Sequence, residues 1–214
     1  MKLGSDNLNR IEFIKNDKYI NVNKRDKKDL QNLRNKIKNK LRNASYMINL
    51  RTNFVATINN RNIGKLLYPA PNFNPYDKNY INNLNALFEI EQLFKIAVYI
   101  TSLKPMKGKE TKKSLKKYHH FVAPLIMNGK KYKVLLTALE KNTSKVLFIN
   151  SLDACKINFY LDSIFYINSI SLKQLIKNVK IYNYDDEDFI EYNLDDIISK
   201  NDFIKEESEV FLLS

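Results

Sequence analysis

The dipeptide Asn128-Gly129 narrows the fold more than any other feature of this chain. A two-residue type I′ turn needs positive φ at both central positions, which Asn and Gly tolerate best. Apolar-rich runs flank it at 117–127 (KYHHFVAPLIM) and 130–140 (KKYKVLLTALE). With a two-residue turn, Met127 faces Lys130 and His120 falls opposite Thr137. Side chains alternate faces along a strand. Phe121, Ala123, Leu125 and Met127 therefore share a core face with Tyr132, Val134, Leu136 and Ala138. The other face carries His120, Val122, Pro124 and Ile126 beside Lys131, Lys133, Leu135 and Thr137. His119 and His120, the two histidines of the chain, point to opposite sides.

Around this hairpin the sequence predicts an α+β fold: N-terminal helices packed on a central antiparallel sheet, with a C-terminal acidic helical extension. A short hairpin (11–14 with 19–22) opens the chain. A helix over 26–50 follows, with Leu30, Leu33, Ile37, Leu41, Ala44 and Ile48 as a narrow apolar stripe. Its basic remainder docks on the domain, pairs with another helix, or lies on phosphate. A strand is expected at 53–58, helices at 63–68 and from Asp77, and a β-like segment at 97–101. Three prolines within 69–75 make that segment a loop. A further strand covers 145–150, and 156–167 is β-prone. Ser171 and Gln174 form a capping box. In the acidic tail, helical pieces around 194–198 and 203–213 keep enough apolar residues to pack on the body. Three regions result: 1–51 as a basic hairpin and helix, 52–184 as the core, and 185–214 as the extension.

Charge supplies the functional signal. The chain carries +13, yet 185–214 holds eleven acids against two lysines. That segment is −9, which leaves +22 on the preceding 184 residues. Such asymmetry suits a polyanion partner, although abundant Lys, Asn and Ile also mark AT-rich coding. Seven lysines crowd into 104–117, read as a mobile loop that ends directly before the histidines. Lys107, Lys109, Lys112, Lys113, Lys116, Lys117 and Lys131, with Arg34, Lys38 and Arg42 on the first helix, are the candidate phosphate contacts. One cysteine excludes an internal disulfide and a Cys-rich zinc site. No secretory signal or membrane span is read, so a cytoplasmic location is expected. Four glycines form no phosphate-cradling loop, and no cofactor or metal is implied.

The order NIGKLL, LFKIAVYITS, basic loop, HHFVAPLIMNGKKYKVLLTALEK, SISLKQLIKNVK resembles a domain of polyvalent proteins from phages and conjugative elements. That domain is grouped with the barnase–EndoU–colicin E5/D–RelE-like nucleases. The matching positions are His119, Phe121, Ala123-Pro124, Gly129, Tyr132, Thr137 and Ser169-Ile170-Ser171, over about residues 52–180. The resemblance implies a small α+β fold and metal-independent RNA cleavage. In that chemistry His119 or His120 acts as base or acid, Lys133 or Lys131 meets the phosphate, and Thr137 orients. The resemblance selects His119, whereas the face argument selects His120; a bulge at Pro124 would reconcile them. The competing class is a non-enzymatic, anti-CRISPR-like inhibitor that grips nucleic acid or a host ribonucleoprotein. A toxin with a cognate inhibitor, or with its acidic tail over its own basic groove, is the third.

Overall fold

The computed structural model describes residues 10–22, 26–44, 46–68, 74–105, 115–157, 168–183, 188–190 and 193–201. The expectations for 69–73, 106–114, 158–167 and the helical piece at 203–213 lie outside these residues, as do Lys107, Lys109, Lys112 and Lys113.

The long hairpin is the centre of a mixed α+β fold. Strand β6 (Leu115–Met127) turns through Asn128 (φ 48°) and Gly129 (φ 66°) into β7 (Lys130–Lys141). The register runs without interruption from Met127 opposite Lys130 to Lys117 opposite Glu140, with His120 opposite Thr137. No bulge occurs at Pro124, which pairs with Lys133. The residues flanking a two-residue turn exchange both ladder bonds. Position 124, three residues from Met127, therefore faces its missing N–H away from β7. Its other neighbour changes there: β5 (Val98–Leu103) pairs as far as Val122, and β2 (Ile14–Asn16) takes over at Leu125. Proline sits where no strand requires a donor.

β8 (Ser144–Lys156) extends the hairpin antiparallel and is far longer than the expected strand at 145–150. The remaining pairings make the sheet mixed rather than antiparallel throughout. β4 (Val55–Thr57) lies parallel to β8, β3 (Met47–Ile48) pairs antiparallel with β4, and β2 lies parallel to β6. The order is β2-β6-β7-β8-β4-β3, with β5 also on β6.

The predicted opening hairpin does not form. β1 (Arg10–Glu12) instead pairs with β9 (Ser169–Ser171), and residues 19–22 make no strand. The reason is a competing partner. The Asn85 side chain accepts from the Ile20 amide at 2.7 Å and donates to the Ile20 carbonyl at 3.1 Å. One amide thus matches a peptide group and pins that segment to a helix.

Helix α1 (Lys27–Arg42) is capped by Asp26, which accepts from the amides of Lys28 and Asp29. It ends eight residues before the expected position 50, because 47–48 is taken up by β3. Leu30, Leu33, Ile37 and Leu41 are buried as the stripe predicts, while Ile48 is exposed. Helices α2 (Asn60–Leu67), α3 (Lys78–Ala86) and α4 (Ile90–Ile96) follow. Their apolar side chains, those of α1 and the Phe121 face of the hairpin form the main core. A second, smaller core covers part of the opposite face. It joins Val122, Val98 and Ile100 to Ile11, Phe13 and Ile170, to α5 (Leu172–Ile176) and to α6 (Leu194–Asn201). α5 carries the expected Ser171–Gln174 capping box. The described part of the acidic extension thus packs on the sheet through Ile197. Residues 182–183 and 188–189 form two further strands, β10 and β11, paired with each other.

Candidate functional site

Four register shifts cluster at the end of the sheet that carries both histidines, one of them in β8 opposite the step from Leu139 to Lys141. β5 shifts between Tyr99 and Thr101, against Phe121 and His120. β8 gains one residue, Asn150, opposite the step from Thr137 to Ala138. β6 gains Lys116, between Leu115 and Lys117. Bulges re-aim side chains and recur beside functional sites. Here they surround both histidines.

On the main-core face, His119 closes the row that begins at Met127. It is 4% exposed, with the rings of Phe54 at 5.1 Å and Tyr99 at 6.0 Å. Its Nε2 lies 3.0 Å from Glu140 Oε2, and Glu140 Oε1 lies 2.6 Å from Lys116 Nζ. The bulge at Lys116 lets that ammonium reach a carboxylate on the neighbouring strand. The Lys116 ammonium holds the Glu140 carboxyl below its ordinary range; burial opposes it, and the hydrogen bond from His119 adds a smaller downward pull. Burial lowers the His119 pKa and outweighs the opposing pull of Glu140. A neutral imidazole beside a carboxylate must carry its proton on Nε2. Nδ1 is then a bare acceptor, buried and without a hydrogen-bond partner among the described residues. Tyr99, on the same face, has its phenol pKa raised by burial despite a hydrogen bond with Ser102, and the Glu140 charge adds to that rise.

On the opposite face, His120 Nδ1 lies 3.3 Å from Thr137 Oγ1. Burial, then the neighbouring His119, lowers its pKa to about 4. His120 is therefore neutral at pH 7 and has no acidic proton to give.

The four proposed catalytic residues thus divide. His119 lies on one face; His120 and Thr137 meet on the other. Lys133 is on the His120 face but four residues along β7 from Thr137, about 13 Å at the usual strand rise. Its ammonium donates to the Lys177 carbonyl, and burial lowers its pKa. Lys131 stands over the Phe13 ring at 5.1 Å. Lys116 and Lys117 belong to β6 rather than to the loop read from the sequence. Arg34 donates to Tyr80 Oη at 2.9 Å and stacks 4.8 Å from the Tyr68 centroid. Lys38 is half-buried and Arg42 exposed, on a helix packed chiefly against α2 and α3.

Sequence reasoning missed Glu140 and Tyr99. The signal for Glu140 was present, since it ends β7 on the His119 face, two residues past Ala138. A strand ending in an acid beside a lysine-rich segment was simply not weighed. Among the described residues no group of three His, Cys, Asp or Glu side chains is placed to hold a metal ion, and no helix is long and apolar enough to cross a membrane.

No curated protein and no solved structure matches the chain. A family model does, over residues 25–148, more than half of the length. The match takes in α1 and stops within β8, so it contains both histidines, Glu140 and the bulges of β5 and β6, but not Asn150. On that ground the chain belongs to the family of large polyvalent protein-associated domain 3, and so to the polyvalent proteins associated with phages and mobile elements.

Proposed function

We propose that this chain handles nucleic acid for a mobile element and cleaves RNA, without a metal, at the Glu140–His119 end of the sheet. The observation that carries the reading is the relay itself. A nearly buried imidazole donates to a carboxylate whose other oxygen holds a half-exposed ammonium. A base fixed by one partner and flanked by a cation fits attack by a ribose 2′-OH.

In this reaction the Glu140 carboxylate takes the 2′-OH proton. The 2′-oxygen bonds to phosphorus, the bond to the 5′-oxygen breaks, and a 2′,3′-cyclic phosphate is released. Lys116 neutralises charge on the phosphoryl oxygens. The Tyr99 hydroxyl, kept protonated by burial, supplies the proton for the departing 5′-oxygen. His119 is a positioning residue, because its Nε2–H holds Glu140 in one orientation. His120 and Thr137, on the other face, stay outside the reaction. The lysine-rich segment between β5 and β6 starts and ends beside these groups in sequence, and cationic segments of that density track a phosphate backbone. On this reading the protein works in the cytoplasm.

A second reading is favoured by the near-complete enclosure of the His119 ring. In it, the protein binds nucleic acid or a host ribonucleoprotein without cutting. One experiment separates the two. Labelled single-stranded RNA in EDTA is cleaved by the protein, and Glu140→Gln lowers the rate by about 10²- to 10⁴-fold. His120→Gln stays within a few-fold. Salt-sensitive binding with no cyclic-phosphate product, or cleavage indifferent to Glu140→Gln, gives the answer to the binder.

A further inference from the structure

Residues 30–76 contain eight Lys or Arg and no acid. Seven of those cations lie on α1 and α2, two of the helices that cover the main core. Burial of Leu30, Leu33, Ile37 and Leu41 fixes which way α1 faces, and 3.6 residues per turn then place the other side chains. Arg34, Lys38 and Arg42 follow one another at four-residue steps along one flank, about 6 Å apart. Lys36, Lys40 and Asp29 fall on the other flank, where Lys40 donates to the Phe88 carbonyl. The Arg34 flank is the one beside α2, because its guanidinium lies 4.8 Å from the ring centroid of Tyr68, the C-cap of that helix. β3 and β4 pair antiparallel, so the chain returns towards the end of α1 before α2 begins. α2 therefore runs back along α1. Arg61, exposed and seven residues before Tyr68 on the same face of α2, comes at the Arg42 end.

We propose that this flank binds the sugar-phosphate backbone of RNA, with Arg34, Lys38, Arg42 and Arg61 each meeting a phosphate. Two observations carry the assignment. The first is the setting of Arg34. Its Nε donates to Tyr80 Oη at 2.9 Å and its guanidinium carbon lies over the Tyr68 ring, which leaves both Nη groups without a hydrogen-bond partner among the described residues. A planar guanidinium held from behind, with its fork free, matches two oxygens of one phosphate. The second is that none of the four cations has an ion pair among the described residues. Asp77, the first acid after this stretch, caps α3 by accepting from the amides of Asn79 and Tyr80. Unneutralised cations repel one another, and a polyanion removes that repulsion while it releases its own counterions. The even spacing of the flank suits a polymer of identical charges, which can meet every step. Arg34 is held by Tyr80 and Tyr68 rather than by any residue of the His119 site, so the flank retains a strand without occupying the cleavage site.

The inference rests on the RNA reading above, and the test keeps binding apart from cleavage. Anisotropy of a fluorescein-labelled 2′-O-methyl oligouridylate, whose blocked 2′-oxygen prevents cleavage, reports binding alone. The triple variant Lys38→Gln/Arg42→Gln/Arg61→Gln lowers the salt slope by about 2, at about 0.7 per phosphate contact on a single strand. A charge-matched control, Lys145→Gln/Lys156→Gln/Lys173→Gln, removes three exposed lysines elsewhere and changes the slope by less than about 0.7. Arg34→Lys keeps the charge and loses the fork, so affinity falls about tenfold with the slope unchanged. Equal loss of slope in the two triple variants overturns the proposal, as does an Arg34→Lys protein that binds as tightly as wild type, or a wild type that does not bind. Polyglutamate that displaces the probe as well as unlabelled oligonucleotide does, at equal charge concentration, assigns the flank to an acidic protein and also overturns it. Failure of the cleavage reading looks different: RNA stays intact, while the first triple variant still binds more weakly than the control.

Discussion

His120 makes the stability of this protein depend on pH in a way that also fixes what the residue can do. Its pKa is about 4 in the folded chain, against ~6.5 in an unfolded one. Between those values the unfolded state binds a proton that the folded state refuses. Stability therefore rises with pH through this window: the contribution is fully present above ~6.5 and is lost as pH falls to about 4. At about 1.36 kcal/mol per pH unit, the loss amounts to about 3 kcal/mol. That is a large share of the 5–15 kcal/mol typical of a domain. The assay is urea unfolding of wild type and His120→Gln at several pH values between about 7 and 4. Glutamine keeps a partner for Thr137 Oγ1 and removes the titration. Carboxylates such as Glu140 contribute equally to both proteins, so the difference between the two curves isolates His120. Wild type should lose about 3 kcal/mol more than the variant. Parallel losses, within about 0.5 kcal/mol, would refute the claim that burial holds this imidazole neutral. They would also return His120 to the list of possible acids.

Two further outcomes test the fold that positions the site. Gly129→Ala, at φ 66°, forces a side chain into the left-handed region and should cost about 1 kcal/mol in urea unfolding, without altering the oligonucleotide affinity of the folded protein. Asn201→Ala removes a side chain that accepts from the Tyr99 amide at 2.8 Å and donates to its carbonyl at 2.9 Å. Stability should fall by about 1–3 kcal/mol, and hydrogen exchange at the Tyr99 amide should accelerate more than at Val122.

The sequence made the hairpin legible because two local signals agreed. Asn128-Gly129 sets the turn, and period-two alternation sets the faces, so the pairing of His120 with Thr137 follows by counting. It made α1 legible where packing confirmed the stripe and misleading beyond Arg42. Ile48 continues the helical spacing, but residues 47–48 gain a strand partner in β4, which only tertiary structure supplies. The parallel pairings of β2 and β4 were illegible for the same reason, since their partners lie about 90 to 110 residues away in sequence. The candidate site failed at a different step. Counting placed the two imidazoles on opposite faces, yet the expected remedy was a bulge at Pro124. The bulges lie instead at the other end of β6, on β5 and on β8, and one of them carries Lys116 to Glu140. A bulge leaves no compositional mark when the inserted residue is an ordinary Lys or Asn, so the relay had no signature to read.

Those bulges join fold and chemistry. A regular ladder would point Lys116 to the side of Tyr118 and His120, away from Glu140. The carboxylate would then lose the cation that now holds it and keep the neutral donor His119. One extra residue in β6 reverses that single side chain and keeps the register beyond it, from Lys117 to Met127, intact. The shift in β5 does the same for Tyr99 and Ser102. Both belong to the His119 face although three residues apart, because Ile100 is the extra residue between their pairings. Asn201 holds the shifted strand from outside by matching the Tyr99 peptide group on both its donor and its acceptor. The last described residue of the acidic extension therefore bears on the backbone of the proposed proton donor. Any force that unseats α6 must first break those two bonds, so the arrangement of the site and the seating of the extension share one mechanical link.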